Sequence, residues 1–239
     1  MKITMIGTSH GVPEVDGRRC SCALIEVEDR FYFIDMGTQA IEDLRVRHIP
    51  VEVVKGIFLT HMHGDHTNGL ISFVDLCSWY FKEASPRIVI PEMIGVDVMK
   101  AWLMVNHNTL REDLEFQQTK EGLVYDDGVI AVTAYKTQHI EPSFAYLVEA
   151  ENRRVLFTGD LKDPEIDFPI GAVQQHTHLV VAESAHFSPL KYLGILYQNE
   201  IDHLLITHYQ PKMVPDVWKL KERVNVPVEL ATDGMEIRL

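Results

Sequence analysis

Short apolar runs alternate with amphipathic stretches and divide the chain into two successive sets of elements. Residues 2–7 and 23–27 read as strands, joined by the loop Gly7-Thr8-Ser9-His10-Gly11-Val12-Pro13. Phe31-Tyr32-Phe33-Ile34-Asp35 is a third strand, ending at Met36-Gly37-Thr38. A helix to about residue 48 follows, closed by Pro50. Strand 54–59 leads into a histidine-rich stretch and then a helix to about Phe81. Arg87-Ile88-Val89-Ile90 is a strand, and residues 95–106 a helix. Trp79, Trp102 and Trp218 fall at helical positions that suit a core. Residues 107–128 are polar and mixed, with no readable period. After them Val129 to Lys136 alternates, and Ser143 to Glu149 with Arg154 to Thr158 forms a hairpin around Glu151-Asn152. Leu179 to Ala182 is strand-like, Leu190 to Gln198 helical, Leu204 to Ile206 a strand, 215–224 a helix, and Pro227 to Leu239 the last strands. This order predicts an α/β protein of two sheets packed face to face with helices outside. Residues 1–239 are expected to form a single domain.

The chemistry gathers in Thr60-His61-Met62-His63-Gly64-Asp65-His66-Thr67-Asn68-Gly69. Three imidazoles and a carboxylate within six residues, where a strand gives way to a helix, are ligands that zinc, iron and manganese accept. His61 and His63 can serve one ion, and Asp65 and His66, pointing elsewhere, a second. Solvated histidines in a polar loop are the plainer alternative. Three later positions repeat the pattern of a polar ligand just after an apolar strand: His139, Asp160 in Thr158-Gly159-Asp160, and His208. Each alone reads equally as a surface or turn residue. Glu183-Ser184-Ala185-His186 also follows a strand, so His186 either faces the same region or sits in a helix-capping loop. His10 divides evenly between substrate contact and surface. His176 and His178 have ligand-like spacing but no acidic neighbour in sequence, and are read as structural. His48, His107 and His203 are read as surface, and Met62 as packing between ligands.

Composition narrows the setting. The net charge of −13 repels phosphate backbones, and Arg18-Arg19 and Arg153-Arg154 are the tight basic pairs. No nucleic-acid stripe or basic amphipathic helix is seen. No apolar run reaches the roughly 18 residues of a membrane span, and the N-terminal run is too short for a signal-peptide core. Cys20, Cys22 and Cys77 suggest no disulfide framework, which favours a reducing cytoplasm. Cys20-Ser21-Cys22 lacks the second thiol pair of a strong metal site, so buried or half-buried structural thiols are expected.

The stretch Thr60–Gly69 resembles the signature of the metallo-β-lactamase superfamily, and His139, Thr158-Gly159-Asp160 and Thr207-His208 look like its later motifs. Met5-Ile6-Gly7-Thr8 with Gly11-Val12-Pro13, and Ala231-Thr232-Asp233-Gly234-Met235, look like the opening and ending of its ribonuclease Z and cyclic-phosphodiesterase branch. The resemblance implies an αββα sandwich of the metallo-β-lactamase type. It implies that His61, His63 and His139 hold one divalent ion, that Asp65, His66 and His208 hold another, and that Asp160 bridges them. The ions would be zinc, with manganese or iron as alternatives. The implied activity is that of a dinuclear hydrolase cleaving a phosphodiester through a metal-bound hydroxide. Asp65 would orient the water and His186 assist the leaving group. Carboxylic ester, lactone or thioester hydrolysis is the alternative, and a metal-binding module without catalysis a further one. An aspartate at position 160, where lactamases proper have cysteine, argues against antibiotic cleavage. Ribonuclease Z enzymes that process transfer RNA carry a long arm between their third histidine motif and bridging aspartate. Twenty residues between His139 and Asp160 leave no room for it, so the expected partner is a small or short phosphodiester rather than pre-tRNA. No membrane partner is expected, and a homodimer is left open.

Overall fold

The structure, a computed structural model, describes residues 1–12 and 17–239. Pro13, expected to close the first loop, lies outside them. The first half of the chain runs β1 (Lys2–Gly7), β2 (Cys22–Val27), β3 (Arg30–Ile34), α1 (Ala40–Val46), β4 (Val54–Phe58), α2 (Gly64–Trp79), β5 (Arg87–Ile90), α3 (Ile94–Val105) and β6 (Phe116–Gln118). The second runs β7 (Gly122–Asp126), β8 (Ala131–Lys136), β9 (Phe144–Ala150), β10 (Arg153–Phe157), α4 (Pro164–Asp167), β11 (Leu179–Ser184), α5 (Leu193–Gln198), β12 (Leu204–Tyr209), α6 (Val214–Lys221), β13 (Val228–Leu230) and β14 (Glu236–Arg238).

Each half makes one sheet by the same plan. Strands β1, β2 and β3 pair antiparallel, and β3 to β6 then pair parallel. Likewise β7 to β10 pair antiparallel and β10 to β13 parallel. The antiparallel steps need only tight turns, whereas the parallel steps need crossovers, most of them carrying helices. Strand β14 returns to pair antiparallel with β1, giving two seven-stranded sheets.

Strand alternation sets the layers. Ile3, Met5, Ile25, Tyr32 and Ile34 point between the sheets and meet Val132, Tyr146, Val148, Val155 and Val181 from the second one. Their neighbours Ile6, Leu24 and Phe33 point outward, onto Leu70, Phe73 and Val74 of α2 and Val96, Met99 and Leu103 of α3. On the far side Val180, Ala182, Leu204 and Ile206 pack against Val217 and Leu220 of α6. The architecture is therefore an αββα sandwich.

Several expectations need correction. The unreadable stretch 107–128 contains β6 and β7, the facing end strands of the two sheets. Helix α2 begins at Gly64, inside the histidine stretch, so Asp65 and His66 occupy its first turn. The segment 189–192 is a 3₁₀ turn that runs into α5. Trp79, Trp102 and Trp218 are exposed by 52%, 53% and 46%. Val96, Met99 and Leu103 already supply the buried stripe of α3 at spacings of three and four, and Trp102 falls beside it. Val217 and Leu220 do the same on α6, and Trp79 is the last residue of α2. His203 is half-buried rather than on the surface.

At the opposite end of β3 from Asp35, Asp127 ties the sheets together. Its carboxylate accepts from Tyr32 Oη at 2.7 Å, Arg30 at 2.9 Å, and the backbone N–H groups of Val129 and Ile130 at 3.0 Å each. Burial pushes this carboxyl up, but the hydrogen bonds outweigh it and hold it down at about 2. A carboxyl depressed on folding contributes stability that is complete above its unfolded value of roughly 4 and is lost as pH falls toward 2. Asp127→Ala should cost about 2–4 kcal/mol, because it orphans buried donors. The cost should shrink below about pH 3. Urea unfolding of both proteins between pH 2 and 7 checks this, and a pH-independent difference would contradict it.

Candidate metal centre

The seven sequence-proposed donors all sit in or just after strands or their following loops, at one edge of the sandwich. Thr60, His61 and His63 follow β4, with Asp65 and His66 in the first turn of α2. His139 follows β8, Asp160 follows β10, and His208 is the second-last residue of β12. Outside the carboxyl ends of parallel strands is where open α/β sheets place their sites. Two backbones are held in the left-handed region here, Asp35 (φ 57°) and His208 (φ 44°), a conformation uncommon for non-glycine residues. Gly159 (φ 57°) is required by close approach: a Cβ there would lie 2.8 Å from Thr60 Cβ in the opposite half.

The donors converge as two groups. His61 Nε2 lies 3.0 Å from His63 Nδ1, and His139 Nε2 lies 3.2 Å from that same atom. Asp160 Oδ2 stands 3.8 Å from His61 Nε2 and 3.6 Å from His139 Nε2. In the second group, Asp65 Oδ2 is 3.7 Å from His66 Nε2 and 3.8 Å from His208 Nε2. Asp160 reaches this group too, with Oδ1 3.4 Å from His66 Nε2 and Oδ2 3.2 Å from His208 Nε2. Donors about 2.0–2.2 Å from one tetrahedral ion stand roughly 3.3–3.6 Å from each other, so these spacings fit metal ligation.

The unpartnered atoms give an independent test of fit. His66 Nε2 and Asp160 Oδ1 are buried and have no hydrogen-bond partner. Burying such groups without a partner costs free energy, and native proteins rarely do so. The two atoms lie 3.4 Å from each other. Burial and the neighbouring imidazoles push His61 down to about 2, which keeps it in the neutral form a metal accepts. Burial likewise lowers His139. On His66 burial works against charge, but Asp160, Asp35 and Asp65 override it and raise the ring to about 10. Burial would raise Asp160, yet His208, His66 and His61 hold it well below the usual carboxylate range. This donor set fits divalent metal ions.

Several supporting residues went unread in the sequence. Asp35 accepts from Thr60 N at 2.7 Å, from Thr60 Oγ1, and from His66 Nδ1 at 2.7 Å. The bond from Nδ1 to Asp35 turns Nε2 toward the donor group, where an ion would displace the proton that the metal-free ring holds. Ser21 Oγ stands 2.8 Å from His208 Nδ1, and Thr60 Oγ1 3.1 Å from His61 Nδ1. Asp35 carried the same signal that singled out Asp160, a polar residue closing an apolar strand. Ser21, between two cysteines, carried none.

His186 lies beside the donors, its ring 4.7 Å from that of His139 and its Nδ1 3.9 Å from Asp160 Oδ2. Its Nδ1 is 2.8 Å from Glu183 Oε1, and its side chain is 40% exposed. The hydrogen bond to Glu183 raises its pKa against the effect of burial. Glu183 also accepts from the backbone N–H groups of Leu161, Ala185 and His186, while burial raises its own pKa. His10 is half-buried, and the next residue, Gly11 (φ 89°), passes so close to Asp65 that a Cβ would lie 2.3 Å from Oδ2. Met62 packs, lining a cavity of about 330 Å³ with Leu70, Ile71, Ile90 and Met99. His176 and His178 stand before β11, at the other end of the strand from His186. The acidic neighbour that the local sequence lacks is supplied in space by Asp202, 2.8 Å from His176 Nε2. The three cysteines are free, Cys22 and Cys77 buried and Cys20 half-buried, and none joins a donor group among the described residues.

Solved structures share this shape. Human tRNase Z, short form, matches with a TM-score of 0.79 at 20% identity, over 100% of this chain and 99% of that one. The metallo-β-lactamase fold protein YhfI from Bacillus subtilis matches with a TM-score of 0.78 at 18% identity, over 99% and 98%. Two mixed sheets with donors gathered at one edge make the metallo-β-lactamase fold. Within it, the chain belongs to the family described as Anti-Pycsar protein Apyc1, whose model matches residues 1–222. Among curated relatives, a ribonuclease Z of Crocosphaera subtropica is 27% identical over 175 residues, 72% of this chain and 55% of the relative. The chain spans about half the length of the curated relatives it matches. No helix among the described residues is long and apolar enough to cross a membrane.

Proposed function

We propose that this chain is a metal-dependent hydrolase of phosphodiesters, with residues 1–239 working as one domain. The observation that carries the reading is the pair of donor groups sharing Asp160, with the His186–Glu183 pair beside them. Zinc is the favoured metal for this set of imidazoles and carboxylates, with manganese or iron as alternatives. Two such ions, when bound, supply Lewis-acid stabilisation of developing negative charge and lower the pKa of water toward neutrality. The chain's own groups do the rest. Asp35, Ser21 and Thr60 fix the orientation of the imidazoles. Asp65, half-buried among them, orients the attacking water. Glu183 holds His186 through Nδ1, which leaves Nε2 to carry a proton to the departing oxygen.

The substrate we favour is a small or short phosphodiester. The segment between His139 and Asp160 is filled by the β9–β10 hairpin, and the net charge of −13 opposes a long nucleic-acid backbone. The family description adds an anti-Pycsar role to this reading. The free thiols suit a reducing cytoplasm. The exposed apolar residues Ile94, Val98, Trp102 and Val105 of α3 support a homodimer, which sedimentation of a monomer at micromolar concentration would rule out.

Turnover of bis-p-nitrophenyl phosphate, set beside a panel of lactones and thioesters, tests the activity. Phosphodiester turnover that a chelator abolishes is expected. Turnover of the panel alone would replace this reading with the carboxylic ester alternative. Metal content without any hydrolysis would favour a binding module. Sub-micromolar binding of pre-tRNA at physiological salt would overturn the substrate assignment.

A further inference from the structure

Asp167 ends α4, away from both donor groups, and its carboxylate is buried. Its three partners are all backbone N–H groups of other loop residues. Oδ2 accepts from Gln138 N at 2.8 Å and from Lys162 N at 3.0 Å, and Oδ1 accepts from Asp163 N at 3.0 Å. Gln138 immediately precedes His139, and Lys162 comes two residues after Asp160. One oxygen thus joins the two loops that bring the second half's donors to His61 and His63.

The carboxylate is itself held in place. Asp167 N and Ile166 N donate to Asp163 O, at 3.0 and 2.8 Å, and the Asp163 side chain caps Glu165 N at 3.0 Å. Lys191 pairs with Asp163 from the 3₁₀ turn at 189–192. A short helix anchored in this way fixes an acceptor at the point where two irregular loops cross. One carboxyl oxygen accepts from both loops at once, a link that neither loop can form with the other at these positions, because both present N–H groups.

We propose that Asp167 is a positioning residue that sets the spacing of His139 and Asp160 and thereby tunes metal affinity at the His61–His63–His139–Asp160 group. The inference rests on the metal-centre reading above. Groups that orient ligands from behind typically contribute about 10–100-fold to metal affinity. His139 belongs to one group only, so loss of the strap should weigh on that group more than on Asp65–His66–His208.

The test is zinc affinity by chelator competition in two backgrounds, beside thermal unfolding of the metal-free proteins. His208→Ala isolates the first group and His139→Ala the second. Asp167→Ala should lower zinc affinity about 10–100-fold in the His208→Ala background and less than about threefold in the His139→Ala background. Asp167→Asn, whose amide oxygen can still span Gln138 N and Lys162 N, should restore most of the loss. Unchanged affinity together with a lower unfolding temperature would reduce Asp167 to a structural role and overturn the proposal. Equal losses in both backgrounds would overturn it as well. If Asp167→Ala does not fold, Asp167→Ser, too short to span both N–H groups, decides: a loss confined to the first group supports the strap, and none refutes it. A His208→Ala protein that binds no zinc refutes the metal reading itself. Zinc binding that ignores position 167 refutes only the strap.

Discussion

Asp160→Ala is expected to yield a folded protein with both ion positions disturbed and phosphodiester turnover reduced at least about 10³-fold. Its carboxylate lies within 4 Å of His61, His139, His66 and His208 together. Removing a single stabilising donor from an active site commonly costs about 10²–10³-fold. Here the deletion takes away a shared ligand and unbalances both sets of imidazoles. Asp160 is buried but lies beyond the paired residues of β10, which end at Phe157, so the sheets should survive the change. His208→Ala, which removes a donor from one group only, should deplete mainly one ion. Elemental analysis of the three proteins beside their turnover separates these outcomes. An Asp160→Ala protein that keeps two tightly held ions would sink the shared-ligand role.

His186→Ala should keep the fold and the metals while lowering kcat about 10²–10⁴-fold on alkyl phosphodiesters, the range for a positioned acid. The structure supplies the motive: a ring 4.7 Å from that of His139, held by Glu183, with 40% of its side chain open to solvent. An alkoxide leaving group needs a proton, whereas p-nitrophenolate departs without one. The loss should therefore shrink on nitrophenyl substrates. Equal losses on both, with metals intact, would reject the acid role. Depleted metal would instead make His186 a ligand, an arrangement its place with Asp160 and Glu183 does not forbid.

Why some of this was readable and some was not has a physical basis. Strands such as Phe31 to Ile34 and Leu204 to Ile206 are covered on both faces, so they appear as continuous apolar runs. The seven candidate donors could be proposed because the histidine cluster, Asp160 and His208 follow or close such runs, while His139 comes after the alternating strand β8. Strands β6 and β7 were not, since end strands need fewer apolar positions to be held. The tryptophans misled because size suggested burial, while the stripes of α3 and α6 were already filled one position away. Residues that act through others are the hardest to read. Ser21 reaches His208 across 187 positions, and Asp167 meets Gln138 across 29. No local pattern encodes either meeting: Ser21–His208 depends on the two sheets having come together, and Asp167–Gln138 on β8 and β10 having joined one sheet.

That dependence has a consequence for the making of the protein. His61, His63, Asp65 and His66 lie in the first half of the chain, and His139, Asp160 and His208 in the second. On the ribosome the early four emerge beside a sheet whose last strand, β14, is still unmade. A chain stalled before Asp160 displays scattered ligands and no complete set. Any cation capture would thus open in two stages of biosynthesis, the first once residue 160 has been delivered and the second once residue 208 has.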